Sequence, residues 1–469
     1  MQRPCVCQTT YDHASGLFML GQMASYAQTP DGGMRSSRRS ARWRFVSAVL
    51  MLALGGLLVP RALLGASSAT RDVPRATLPS LSDAPHDAPQ IPPALPIGPD
   101  GSRDLWLTSD EVAALPPPPD PMRVLAAAAQ QPLDRSRLTE RDQHNVHVLA
   151  MALLAARTDD DGHRAKVRDT LSDVVRRSFD DRDVLAAARR LGTYVIAADI
   201  IGLPAYDPTF DKVFRRWLRA TIRFEFSGDG PDGSMRDVQE TRLNNFGTHA
   251  AASRIAVAGY LGDVSELRRA AKVFRGWLGD RAAYSDFVAG DLTWQAYPAH
   301  PVGINPLGST LVINGAGRNV DGVLPDDQRR SKLSWPPPKE SYVWGALSAA
   351  VVAAELLHRQ GYPAWEWEDQ ALLRATRWLY EEADYPASGD DTAAPWLINH
   401  AYDEDFLTRD AALGKIIAFT DWTHAPRVKD RQQRQHPGRS ERGSRSDGGW
   451  TSLPRRVRDA RERLSAASR

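Results

Sequence analysis

The run Arg242-Leu243-Asn244-Asn245-Phe246-Gly247-Thr248-His249 holds the first residues whose types and spacing suit catalysis. Asn245 and His249 are four positions apart, so a helix places them on one face. An amide that holds a carboxylate and an imidazole that takes a proton can meet there. The same spacing allows a plainer reading, with Asn244 or Asn245 as an N-cap and His249 as packed core. A second group follows: Asp321-Gly322-Val323-Leu324-Pro325, then Arg329-Arg330, then Glu340-Ser341-Tyr342 at the mouth of an apolar helix. Arginine grips a carboxylate with a planar fork, and a tyrosine at a helix entrance can transfer a proton. The alternative is a surface loop with solvated arginines and a tyrosine lid. The third group is Asp390-Asp391, an acid/base pair or a calcium ligand in one reading. Adjacent aspartates in a turn are more often solvated or capping, and that reading is preferred here.

A long loop from Tyr284 to Pro338 carries Trp294, Tyr297, His300 and Trp335 among glycines and prolines. Long ordered loops on helical scaffolds tend to be functional. Aromatic faces suit the apolar faces of sugar rings, so Trp294, His300 and Trp335 are candidate substrate contacts; loop packing is the alternative. There is no phosphate-binding loop, dinucleotide fingerprint, His-Glu-x-x-His or Gly-x-Ser-x-Gly. The formal net charge of +2 sets up no global field for nucleic acid or an anionic membrane. The only cysteines are Cys5 and Cys7, at the very start of the chain. A chain trimmed behind them has no disulfide framework, thiolate metal site or thiol nucleophile. The expectation is no metal and no cofactor.

The elements that must position these residues are helices. Apolar stripes at helical spacing run through Phe210, Val213, Phe214, Trp217 and Leu218, and through Leu185, Ala188, Leu191, Val195 and Ala198. Others run through Leu347, Ala350, Val351 and Ala354, and through Leu372, Ala375, Thr376 and Leu379. Gly202-Leu203-Pro204, Gly228 to Gly233 and Gly361-Tyr362-Pro363 punctuate them. Strand signals are sparse and do not alternate cleanly. The class predicted is all-α, built of stacked helical hairpins.

Arginines between Arg35 and Arg44, the apolar run Phe45 to Val59 and the small residues Gly65 to Ala69 are ordered as in an export signal. The apolar run is short for a membrane span, so a cleaved signal is preferred over a retained anchor, and translation starting at Met23 or Met34 is open. The expected organisation is a leader and signal or anchor over 1–69, a Pro/Ala-rich linker over 70–104, one domain over 105–424 and a disordered basic tail over 425–469.

Between Leu105 and His424 the chain resembles the alginate-lyase family of polysaccharide lyases. The likeness is carried by Asn244-Asn245-x-Gly247 with an Ala-rich helix ending Tyr260-Leu261-Gly262-Asp263, and by Asp321-Gly322-x-x-Pro325 followed by arginines and a tyrosine. Leu191 to Asp199 and Trp422-Thr423-His424 add to it. Each motif is weak alone; four in order are more specific. The resemblance implies an α/α toroid, an incomplete barrel of helical hairpins with a groove for an anionic glycan, and β-elimination at a uronic acid. It implies Asn245 as carboxylate neutraliser, Arg329 or Arg330 as supporting arginine and Tyr342 as acid. Asn244, Arg329, Trp294, His300 and Trp335 would bind substrate. One departure matters: the family histidine directly after the second asparagine is here Phe246, so His249 or Tyr342 must serve as base. The expected partner is an anionic polysaccharide, with no nucleic acid, no membrane contact beyond an N-terminal anchor, and a monomeric, secreted or periplasmic chain. The alternatives are an α/α-toroid glycoside hydrolase using Asp390 or Asp391, and a non-catalytic cell-surface glycan binder.

Overall fold

Short polar side chains start six of the described helices. Thr108, Asp183, Asp207, Ser234, Asn244 and Asp263 each accept a backbone N–H of the turn they precede. They satisfy donors that a helix cannot satisfy by itself. Thr108 with Glu111 and Ser234 with Asp237 form reciprocal capping boxes.

The computed structural model describes residues 103–116, 121–131, 142–177, 179–180, 182–228, 230–329 and 332–425. All lie within the unit Ala84–Arg469. The leader, nearly all of the linker, the basic tail beyond residue 425, and Arg330 fall outside the described residues. About 58% of the described region is helical, so the all-α class holds there.

The helices of the first half are α1 (Ser109–Ala114), α2 (Pro121–Ala129), α3 (His144–Thr158), α4 (Asp161–Arg177), α5 (Val184–Ile200), α6 (Leu203–Tyr206) and α7 (Pro208–Thr221). Then come α8 (Met235–Thr241), α9 (Asn245–Leu261), α10 (Val264–Leu278) and the short α11 (Pro325–Gln328). Last are α12 (Ser341–Arg359), α13 (Trp367–Arg377), α14 (Ala393–Tyr402) and α15 (Thr420–Thr423). α3 packs on α5, α5 on α9, α9 on α12 and α12 on α14. These pairings do not by themselves draw a ring.

α9 is buried along nearly its whole length because its side chains are small. At the crossing with α5, Gly192 lies so close to Ser253 that an added Cβ would sit 3.3 Å from the serine Cα. Ser253 Oγ donates to the Ala188 carbonyl at 2.6 Å and accepts from Gly192 N at 2.8 Å. α12 is apolar enough to cross a membrane by composition, but 78% of its apolar window is buried inside the protein. Its hydropathy is that of a core helix.

The apolar stripes fall inside, with one correction. Phe210, Phe214 and Leu218 are buried, whereas Val213 is exposed. The long loop also holds an unexpected antiparallel hairpin, β1 (Thr310–Ile313) and β2 (Ala316–Asn319). Its turn is Asn314-Gly315, at φ 53° and 78°. Asn-Gly with both residues left-handed is the favoured two-residue hairpin turn, because its twist matches the strands.

Candidate functional site

Asn244 is the N-cap of α9, its Oδ1 accepting from Phe246 N at 3.2 Å. Gly247 has a steric reason: an added Cβ would lie 2.0 Å from the Arg242 carbonyl oxygen. Half of the Asn-Asn-x-Gly motif is thus accounted for by helix initiation. Asn245 is buried, and its backbone N–H donates to Asp327 Oδ1 at 3.1 Å. That bond ties α11 to the start of α9.

The Asp321-Gly322 motif is also a structural joint. Asp321 pairs with the buried Arg374. Arg374 also donates to the carbonyls of Asn305 (2.9 Å), Glu368 (2.9 Å) and Asp369 (3.1 Å). Gly322 has φ 84°, and a Cβ there would meet the Arg374 carbonyl oxygen at 2.4 Å. Only glycine combines that backbone with that closeness. Arg329 pairs with Asp326 at 3.2 Å and donates to its carbonyl at 2.7 Å. Asp326 in turn accepts the N–H groups of Gly290 and Asp291 at 2.7 and 3.2 Å. As placed, Arg329 holds a loop.

The aromatic candidates separate. Trp294 has no exposed surface and packs edge-on against Trp378. It is a core residue, which corrects its expected place among the sugar contacts. His300 is exposed in the loop. Trp335 is half-buried, with the Arg318 guanidinium 5.1 Å from its ring centroid. Tyr342 is 37% exposed in the first turn of α12.

His249 does reach a cavity. A small cavity, with room for about one water molecule, lies between α9, α12, the turn at 389–393 and the segment 414–417. His249, Gly345, Ser348, Asp390, Asp391 and Lys415 are among its walls; Asn245 is not. Tyr342 precedes Gly345 by three positions, hence by about one turn on neighbouring rows of the same helix. The structure therefore brings His249 of α9 and Gly345 and Ser348 of α12 to one cavity, and neither Tyr342 nor Asn245 is among its walls.

The imidazole is set by its helix. His249 Nδ1 lies 2.7 Å from the Asn245 carbonyl oxygen, which only accepts, so Nδ1 carries the proton and donates. Nε2 is left with the lone pair. Burial, with the nearby charges of Arg189 and Lys415, holds the imidazole well below its ordinary pKa. The shift favours the neutral imidazole. Asp391 moves the opposite way: burial, assisted by the charge of Asp390 and opposed by Lys415 and Arg189, pushes its carboxyl up to about 7. Two groups on one cavity wall with pKa values moved in opposite directions are the raw material of acid/base chemistry.

Asp390 pairs with Lys415 Nζ at 3.1 Å. The preferred reading of Asp390-Asp391 as solvated or capping is corrected for Asp391, which is buried; Asp390 keeps a 40% exposed side chain, and both line the cavity. The lysine is held from behind. Asn145 Nδ2 donates to the Lys415 carbonyl at 3.1 Å and Thr193 Oγ1 to the Ile416 carbonyl at 2.6 Å. Sequence reasoning passed over Lys415, Ser348 and Arg189. No local motif marks them; the Lys415 carbonyl, for example, is held by Asn145, 270 positions away.

A scan against protein-family models and a search of curated proteins find nothing that matches this chain.

Proposed function

We propose that this chain is a polysaccharide lyase that cleaves a uronic-acid glycan, alginate or a related polymer, by β-elimination at the His249 cavity. The observation that carries the reading is the state of His249. Burial favours its neutral form, its bond to the Asn245 carbonyl holds it in one tautomer with the Nε2 lone pair free of that bond, and it lies on a cavity wall one helical turn from where the resemblance expects a histidine. In this reading Nε2 takes the C5 proton. The electron pair left on carbon passes through an enediolate and forms the C4–C5 double bond as the C4–O4 bond breaks. Tyr342, at the entrance of α12, protonates the departing O4. Asn245 acts through its backbone carbonyl, which orients the base.

The resemblance and the stacked order α3, α5, α9, α12, α14 also support reading the helical layer as an incomplete α/α toroid. The ordered pattern over Arg35–Ala69 supports export.

The test is incubation with alginate, glucuronan, hyaluronan and heparin-type glycans, following ultraviolet absorbance of the unsaturated uronate. Absorbance is expected with at least one polymer. His249→Ala is expected to lower kcat by about 100-fold or more, the usual scale for a general base, and Tyr342→Phe to lower turnover while leaving glycan affinity intact. No absorbance across the panel overturns the reading. The raised carboxyl of Asp391 favours one competitor, a glycoside hydrolase with Asp391 as acid. New reducing ends without ultraviolet absorbance would select it.

A further inference from the structure

We infer that Lys415 receives the carboxylate of the substrate's uronic acid, exchanging Asp390 for it at the partly exposed edge of the cavity, and so selects an acidic sugar. This deepens the lyase reading and rests on it for the identity of the ligand. The chemistry sets where such a group must be. In a uronic acid the carboxylate hangs from C5, the carbon that loses its proton. The cation that holds the carboxylate must therefore share a cavity with the base. Lys415 and His249 line the same cavity.

The other candidates are committed elsewhere. Asn245 does not line the cavity, and Arg329 is bound to the nearly inaccessible Asp326. Lys415 and Asp390 are different, with side chains 34% and 40% exposed. An ion pair that open to water is worth little, so replacing one carboxylate by another costs little. The backbone behind the lysine is fixed. Asn145 and Thr193, both with no exposed surface, hold the carbonyls of residues 415 and 416. Gly414 is pressed so close to the Ile417 carbonyl oxygen that a Cβ would lie 2.2 Å from it. A rigid backbone under an exchangeable ammonium is the arrangement expected of a binding lysine. The field is favourable too. Arg189 adds positive charge, and Asp391 is largely protonated below about pH 7, so it repels an incoming carboxylate less than its neighbour does.

The experiment compares acidic and neutral ligands. Calorimetry measures binding of mannuronate and glucuronate tetrasaccharides and of their carboxyl-reduced counterparts to the full chain, with Lys415→Met, Lys415→Arg, Asp390→Asn and the exposed α10 control Lys272→Met. The parent is expected to prefer at least one acidic ligand by about 10-fold or more, as for a charge-assisted contact worth about 1.4 kcal/mol or more. Lys415→Met should bring that preference to within about two-fold, while Lys415→Arg and Lys272→Met keep most of it. Asp390→Asn should tighten acidic binding. A merely structural lysine would weaken both ligands alike. The inference is overturned if the parent shows no acidic preference, if Lys415→Met keeps it, or if Asp390→Asn weakens acidic binding. Should Lys415→Met fail to fold, the Asp390→Asn result decides alone. The lyase reading fails separately: Lys415-dependent acidic binding without unsaturated product leaves the carboxylate site standing and removes the elimination.

Discussion

Phe246 occupies the position where the resemblance expects a histidine, and it packs partly buried against the core. Its ring lies beneath the glycine-rich loop, where a Cβ on Gly230 would come within 3.0 Å of the phenyl edge. With that ring spent on packing, the proposed base is His249, one turn further along. Asp391 yields a test on the same scale. Its folded pKa, about 7, lies above the ordinary carboxylate value. Between those values the folded state binds more protons than the unfolded chain, so stability falls as pH rises through that window and is flat above it. Asp391→Asn removes this dependence. Relative to the parent it should be neutral near about pH 4 and more stable by roughly 1–4 kcal/mol near about pH 8. Urea unfolding at both pH values checks this; an equal difference at the two would mean that Asp391 is not held protonated.

At the scale of elements, much was legible in the sequence. The stripes through Leu185, Leu347 and Leu372 are buried helix faces, and Asn244 is a cap. These depend on contacts within a few residues, which local pattern encodes. The hairpin at 310–319 was also written there, in Asn314-Gly315, but its strands are only four residues long and lack clean alternation. Gly247 tests how tightly α9 is started. In an exposed helix Gly→Ala gains about 1 kcal/mol. Here the added carbon would strike the Arg242 carbonyl oxygen, a backbone atom with little freedom to move. Gly247→Ala is expected to destabilise by about 1–3 kcal/mol, the usual cost of overpacking. A denaturant midpoint equal to or above the parent's would refute that account.

Across the whole molecule, α8, α9 and α10 are joined through Arg254, which has no exposed surface. It donates to Glu266 at 2.6 Å, Glu240 at 2.9 Å and Gln239 at 3.0 Å. Removing one partner of a buried pair strands the other's charge, at a cost of about 3–5 kcal/mol. Arg254→Met should lose about 3 kcal/mol in denaturant titration, since Arg236 still reaches Glu266; a loss below about 1 kcal/mol would show that the network is not coupled. The sequence by itself determined the helical class, the caps, the turn glycines and which side chains had the chemistry to be candidates. Those follow from periodicity and local sterics, which act over neighbouring residues. Only the tertiary structure decided that His249, Asp391 and Lys415 line one cavity, that Asn245 is not among its walls, and that Trp294 is core. Burial and distant charges set those outcomes, and they exist only once segments far apart in the chain have been packed together.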